Sequence, residues 1–266
     1  MHSAVVECTR ADADRLTAEL WELGTSGIQE EEIAGGLVRL RAFFEQPPQH
    51  PALRDWRVEE ERDWVALSRE GWEPLCVGER LFLIPAWLDD PTPPGRLRLE
   101  IEPGMASGTG YSTPTQLCLE ALERYVRTGE TVLDVGTGSG ILARAALLLG
   151  AGKVIACDID AACLRSVPSA LVFAGSARAL RGAVADLVVA NLNAVELEMA
   201  AVEIARVCRA GARVILGGFQ HRREAAVASH YERCGLTMLE RMEREQWQCV
   251  ILNAPATSLH RTRRDE

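Results

Sequence analysis

Residues 132–142 read VLDVGTGSGIL, an apolar strand-like run that ends in a glycine turn and opens directly onto GILARAALLLG (140–150). A strand that turns this sharply into a helix marks a place where backbone can approach a ligand. Gly136 and Gly138 put no Cβ in the way, and Gly140 allows close packing of strand on helix. The first turn of the helix also leaves N–H groups without intrahelical partners. The spacing is G-x-G-x-G. The dinucleotide fingerprint G-x-G-x-x-G would need its third glycine at Ile141, so a nicotinamide cofactor fits poorly. A tight core turn that binds nothing is the other reading of these residues alone.

The pattern on both sides of this turn sets the fold class. TQLCLEALERYV (115–126) has helical periodicity, TVLDVG is a buried strand, and KVIACDID (153–160) is another. ADLVVANL (185–192) and ARVILGGF (212–219) are short apolar strands separated by the helical ELEMAAVEIARVCRAG (196–211). REAAVASHYERCG (223–235) reads as a helix, and LTMLERMER with QWQCVILNAP (236–255) as an antiparallel pair. Strands alternating with helices predict an α/β, doubly wound, mostly parallel sheet over 102–255.

The first 55 residues predict a small α+β domain. HSAVVECT (2–9) is a strand, ADADRLTAELWELG (11–24) a helix with Leu16, Leu20 and Leu23 on one face, and IQEEEIAGGLVRLRAFF (28–44) a hairpin turning at Gly35 and Gly36. QPPQHP (46–51) interrupts regular structure. Residues 56–101 read as a connecting segment holding the strand-like CVGERLFLIPAW (76–87) and RLRLEIEPG (96–104), and 256–266 as a polar, disordered tail.

Composition excludes several classes. The chain of 266 residues is 47% hydrophobic and 25% charged, as expected of a globular protein long enough for a substantial core. No apolar run reaches the ~18 residues of a membrane span, and the start lacks a signal-peptide pattern, which points to the cytoplasm. A net charge of −9 opposes direct nucleic-acid binding and suits a basic protein partner. The eight cysteines show no C-x-x-C spacing and the five histidines are dispersed, so free thiols are expected and no metal site.

Three further candidates surround the glycine turn. Asp158 follows Gly136 by 22 residues, near the ~20-residue offset at which an acid accepts hydrogen bonds from ribose hydroxyls. Asp160 suits the N-cap of a following helix. Asn191 stands just past a strand of the series, at the carboxyl edge where α/β sheets bind ligands, with its oxygen available to an incoming amine and its NH2 held by backbone. EPGMASGTGYSTPT (102–115) is either a linker or a loop that folds over a ligand, with Thr115 at a cap position of the next helix. Asp158 as a solvated loop acid and Asn191 as a turn residue remain the plain alternatives.

The G-x-G-x-G form is typical of class I methyltransferases. PGMASGTGYSTPTQLCLEALE (103–123), VLDVGTGSGILARAALLLGAGKVIACDID (132–160) and DLVVANL (186–192), in this order and spacing, resemble the family that methylates large-subunit ribosomal protein eleven. REGWEPLCVGERLFLIPAW (69–87) and EQWQCVILN (245–253) resemble that family's connecting segment and last strand. The resemblance implies a Rossmann-like methyltransferase sheet, S-adenosyl-L-methionine as cofactor and a ribosomal protein as partner. It further implies cofactor contacts from Thr115, Gly136, Gly138, Asp158 and Asn191, with Gly108 and Thr109 closing over the cofactor and Asn191 also orienting the acceptor amine. The chain departs from the family pattern at Ser107, Tyr111 and Ser112 in the loop, at Leu192 and Asn193 after the asparagine, and by a shortened stretch between Asp158 and Asn191.

The implied activity is methylation of α-amino and Lys ε-amino groups. A related methyltransferase acting on another protein or a small molecule, favoured by a substrate-recognition front domain shortened relative to the family's, and a silent cofactor-binding homologue, favoured by the altered loop, are the alternatives.

Overall fold

The computed structural model describes residues 2–25, 27–33, 36–48, 53, 56–58, 72–101, 110–166 and 170–256. The chain forms two compact units, Met1–Trp72 and Glu73–Glu266.

The first unit contains β1 (His2–Thr9), α1 (Arg10–Glu22), β2 (Gly27–Ile33), β3 (Leu37–Phe44) and β4 (Arg57–Val58). Its sheet has the order β2-β3-β1-β4 with every neighbour antiparallel. This is the expected strand, helix and hairpin, with a short fourth strand. Alternation explains which face is buried. Val38, Leu40, Ala42 and Phe44 of β3 point one way with Ala4 of β1, and Ala13 and Leu20 of α1 cover them. Trp56 meets Phe44 edge-on at 5.5 Å between ring centroids. The sequence offers no obvious second helix in this unit, only QPPQHPALRD (46–55) after the third strand; most of that stretch lies outside the described residues, as does the tail from 257 onward.

The second unit begins with a three-stranded sheet of β5 (Leu75–Val77), β6 (Leu81–Pro85) and β7 (Leu97–Ile101), in which β5–β6 is antiparallel and β6–β7 parallel. CVGERLFLIPAW is thus two strands, not one. Arg96 and Arg98 brace this sheet by donating to the carbonyls of Leu81, Gly78, Leu88 and Asp90 at 2.7–3.1 Å.

The large sheet follows. Its strands are β8 (Thr131–Val135), β9 (Lys153–Asp158), β10 (Leu171–Ala174), β11 (Ala185–Asn191), β12 (Cys208–Gln220), β13 (Thr237–Arg244) and β14 (Trp247–Asn253). They lie in the order β10-β9-β8-β11-β12-β14-β13, with β14 alone running opposite to the other strands. Helices α2 (Thr113–Tyr125), α3 (Ile141–Leu148), α4 (Ala194–Val207) and α5 (Glu224–Glu232) flank it. Both faces of the central strands are covered, so β8 and β11 are apolar almost throughout and Leu133, Val188 and Leu216 are fully buried. Each such side chain contributes about 1.5–3 kcal/mol by leaving water.

Where a helix would join β9 to β10, the shortened stretch holds a 3-10 turn at Ala161–Ser166. β10 itself gave no sequence signal, because Leu171 and Val172 on this edge strand are exposed and show no alternation. All eight cysteines are free thiols. Five are buried, while Cys76 is exposed and Cys8 and Cys234 are partly so. No helix among the described residues is long and apolar enough to cross a membrane.

Candidate active site

The chain runs from β8 outward to β9 and β10, then returns to β11 on the other side of β8. At such a switch of direction the connections leave in opposite senses, and a crevice opens beyond the carboxyl ends of the two central strands. Strand register brings those ends level. Ala190 is paired with Val135, Val135 with Cys157, Asp158 with Ala174, and Asn191 with Gly217. A cavity of about 590 Å³ lies there.

The glycine turn forms one wall. Gly136 N and Thr137 N both donate to the Cys157 carbonyl, at 2.9 and 3.0 Å. Gly138 N donates to Asp158 Oδ2 at 2.9 Å, and Asp160 N to Asp158 Oδ1 at 3.0 Å. The Asp158 carboxylate is thereby fixed at the strand end, and a carboxylate with about four lone-pair positions still has acceptor capacity for a ligand. Gly136 has φ +72, a conformation that favours glycine, and a Cβ on it would also press on the Leu192 side chain, with Cδ2 at 2.3 Å.

Beneath the turn lies Asp134, which the sequence reading passed over. Its Oδ2 accepts from Thr137 Oγ1 at 2.8 Å and from Ala143 N at 3.1 Å, while Oδ1 is buried with no hydrogen-bond partner among the described residues. Complete burial pushes its pKa up to about 7, aided by the charge of Asp158 and opposed by the two hydrogen bonds. An acid inside an otherwise apolar strand was the available signal: such a residue must find local partners, and these hold the turn.

The opposite side comes from α2 and the end of β11. Thr115 is not the cap of α2 as the sequence suggested. Ser112 is the N-cap and Pro114 occupies the first turn, which starts the helix earlier and places Thr115 inside it. There its hydroxyl is buried, accepts from Asn191 Nδ2 at 3.0 Å and lies 2.9 Å from Ser112 Oγ. Among the described residues the Asn191 NH2 is therefore held by a side-chain hydroxyl and not by backbone, and its carbonyl oxygen is left for another donor. Asp160 caps the 3-10 turn after β9, accepting from Ala162 N at 2.9 Å.

Two parts of the rim were missed: the Ser176 contact carries no local signal, whereas Asn193-x-x-Glu196 has the capping-box spacing and was passed over. Ser176, after β10, donates to Glu203 Oε2 at 2.8 Å, and Asn193 with Glu196 forms a reciprocal capping box that starts α4. The second also accounts for Asn193 as a departure from the family pattern, since asparagine is among the favoured N-cap residues. Thr115, Gly136, Gly138, Asp158 and Asn191 all line the one cavity, whereas Gly108 and Thr109 lie outside the described residues. Among the described residues its charged lining is Asp158, Asp160, Glu196 and Glu203, with no basic side chain. A ligand bearing positive charge suits such a wall.

Comparison with known proteins gives this geometry a family. The model of the family described as ribosomal protein L11 methyltransferase (PrmA) matches residues 47–255. The chain belongs to that family. A ribosomal protein L11 methyltransferase of Pelotomaculum thermopropionicum is 38% identical over 264 residues, covering 95% of this chain and 84% of that protein. Its counterpart in Cupriavidus metallidurans is 39% identical over 274 residues, covering 94% and 89%. In fold, the chain matches the crystal structure of a ribosomal protein L11 methylase from Lactobacillus delbrueckii subsp. bulgaricus with a TM-score of 0.63 at 24% identity, over 69% of this chain and 98% of that one.

Membership makes this chain a methyltransferase with a Rossmann-like sheet and S-adenosyl-L-methionine as its donor. The residues present fit that donor. A fixed carboxylate suits vicinal hydroxyls, a backbone-lined glycine turn leaves room for close approach, an anionic wall suits a cation, and the cavity falls within the ~300–1,000 Å³ of small-molecule sites.

Proposed function

We propose that this chain methylates nitrogen atoms of a ribosomal protein, α-amino or Lys ε-amino groups, with Asn191 orienting the acceptor and Asp158 and the glycine turn holding the donor. The observation that carries this reading is the Asn191 amide, tied through Nδ2 to Thr115 across the cavity from the Gly136–Asp158 wall. When bound, S-adenosyl-L-methionine supplies a methyl group already activated by its sulfonium. The protein is then left with proximity and alignment, which account for large rate effects in reactions of this kind.

The acceptor amine must be neutral. An α-amine, with a reference pKa of ~7.7–8.0, is partly neutral at cell pH, whereas a Lys amine at ~10.4 must give its proton to water. Asn191 Oδ1 can accept one N–H of the neutral amine and so fix the direction of its lone pair. The anionic rim attracts the cationic form of such a substrate to the cavity. The names of the relatives, ribosomal protein L11 methyltransferase, support a ribosomal protein as the substrate, and we assign its recognition to the N-terminal unit. The setting proposed for this reaction is the cytoplasm.

Incubation with methyl-labelled S-adenosyl-L-methionine and purified ribosomal protein L11 tests the proposal. Label on amino groups of that protein supports it. Label only on another acceptor, or donor binding with no transfer, rejects it.

A further inference from the structure

Ser112 stands at the N-cap of α2 with extended backbone (φ −73, ψ 140), yet its side chain accepts no hydrogen bond from the first turn. Serine is favoured at this position because its oxygen ordinarily accepts from the N2 or N3 amide. Here that oxygen lies 2.9 Å from Thr115 Oγ1 instead, and Thr115 Oγ1 is the acceptor for Asn191 Nδ2 at 3.0 Å. The three side chains line the same cavity. A preferred local bond has been given up in favour of one that leads to the site, which is where such departures from local rules are expected.

A threonine hydroxyl can act in two ways. It carries one hydrogen and two lone pairs, so alone it could accept from the Asn191 NH2 or donate to the Asn191 carbonyl of a flipped amide. A flipped amide would turn its NH2 toward an incoming amine and offer it no acceptor. If the Thr115 hydrogen is directed to Ser112 Oγ, only lone pairs face Asn191, and the amide must present Nδ2 to Thr115.

We propose that Ser112 is a positioning residue for methyl transfer, accepting the Thr115 hydroxyl hydrogen and thereby fixing the Asn191 amide with its oxygen toward the acceptor. This rests on the reading that Asn191 meets the acceptor amine, and the test separates the two. The full-length variants Ser112→Ala, Ser112→Thr and Asn191→Ala are compared for melting temperature, donor affinity by calorimetry, kcat and KM toward ribosomal protein L11, and the Asn191 side-chain amide signal in nitrogen-15 NMR. Ser112→Ala is expected to melt like the parent, because the hydroxyl makes no cap bond, and to bind donor within about twofold. Its kcat is expected to fall about tenfold, the scale of one hydrogen bond. Its Asn191 amide signal should broaden or double, and Ser112→Thr should restore both. A single, parent-like amide signal and parent-like kcat in Ser112→Ala, while Asn191→Ala loses turnover, would overturn the role of Ser112 and leave that of Asn191. Full turnover in Asn191→Ala would overturn the reading beneath it. A lowered melting temperature in Ser112→Ala, with activity that threonine does not restore, would reduce Ser112 to a helix cap.

Discussion

Asn191 and Thr115 are 76 residues apart in sequence, yet the amide of one donates to the hydroxyl of the other at 3.0 Å. The bond joins the end of a central strand to the first turn of the helix that precedes the sheet. Thr115→Val keeps the branched shape and removes the acceptor. The amide N–H then loses its partner in a half-buried position, a change that costs about 1–3 kcal/mol. We expect a loss of about tenfold or more in single-turnover rate, with donor affinity changed much less. An unchanged rate would exclude the bond from the reaction.

Asp158 is expected to matter in the opposite way, for binding before rate. Its two oxygens anchor Gly138 N and Asp160 N and face the cavity. Asp158→Ala should weaken S-adenosyl-L-methionine binding by ~1–3 kcal/mol through lost charged hydrogen bonds. Calorimetry giving parent-like affinity for a folded variant would reject Asp158 as the anchor.

Much of this site was legible in the sequence, and the reasons are local. The glycine turn and Asp158 sit on consecutive strands whose spacing is set by one helix, so a linear offset predicts their meeting. Asn191 could be placed at the sheet edge from the strand pattern alone. What escaped was tertiary. Asp134 takes its meaning from Thr137 and Ala143 around it, and Ser176 from Glu203 on a distant helix. The partner of the Asn191 NH2 could not be guessed either, since Thr115 reaches it from inside a helix that begins at Thr113, earlier than the periodicity indicates. In the fold, β10 was lost because an exposed edge strand carries no alternation.

A prediction about stability concerns Arg213 in β12, whose guanidinium is nearly buried and bonded to Glu130. Asp186 lies close by. Burial alone would raise its pKa, but the Thr131 N–H and the Arg209 and Arg213 guanidinium groups hold it below the usual range. Glu130→Ala leaves the Arg213 charge without its bonded partner. Breaking a buried pair from one side costs about 3–5 kcal/mol, whereas replacing both partners by apolar residues costs far less. Denaturant unfolding should therefore show Glu130→Ala to be less stable than a Glu130→Leu, Arg213→Met double variant. The reverse order would reject the buried pair.

Gly218, in the bulge of β12, sits against the same turn as Asn191. It has φ +91, and a Cβ there would lie 2.4 Å from the Leu192 carbonyl oxygen and 2.9 Å from Asn191 Oδ1. The first obstacle is backbone and cannot rotate aside. Left-handed conformation alone costs about 1–2 kcal/mol for a residue with a side chain, and displacement of Leu192 adds to it. Gly218→Ala should lower the unfolding free energy by about 2 kcal/mol or more and impair turnover through Asn191. A variant with parent-like stability would show that this turn is not constrained as described.

Asp134 makes an unusual contribution to pH dependence. Its folded pKa of about 7 stands above its ordinary value of 3.8, because burial disfavours the charged form. Between those two values the native state keeps a proton that the unfolded chain has released, so the native state binds more protons. The sign follows: this group's contribution is fully present below pH 3.8, declines as pH rises toward about 7, and is flat above. The slope cannot exceed ~1.4 kcal/mol per pH unit. Asp134→Asn keeps an acceptor for Thr137 and Ala143 but does not titrate. Its melting temperature should vary less with pH than the parent's across that window, and the gap between the two should shift in the variant's favour from pH 5 to pH 8. Parallel pH profiles for the two proteins would show that Asp134 is already ionised throughout, and that its carboxylate is better solvated than its burial implies.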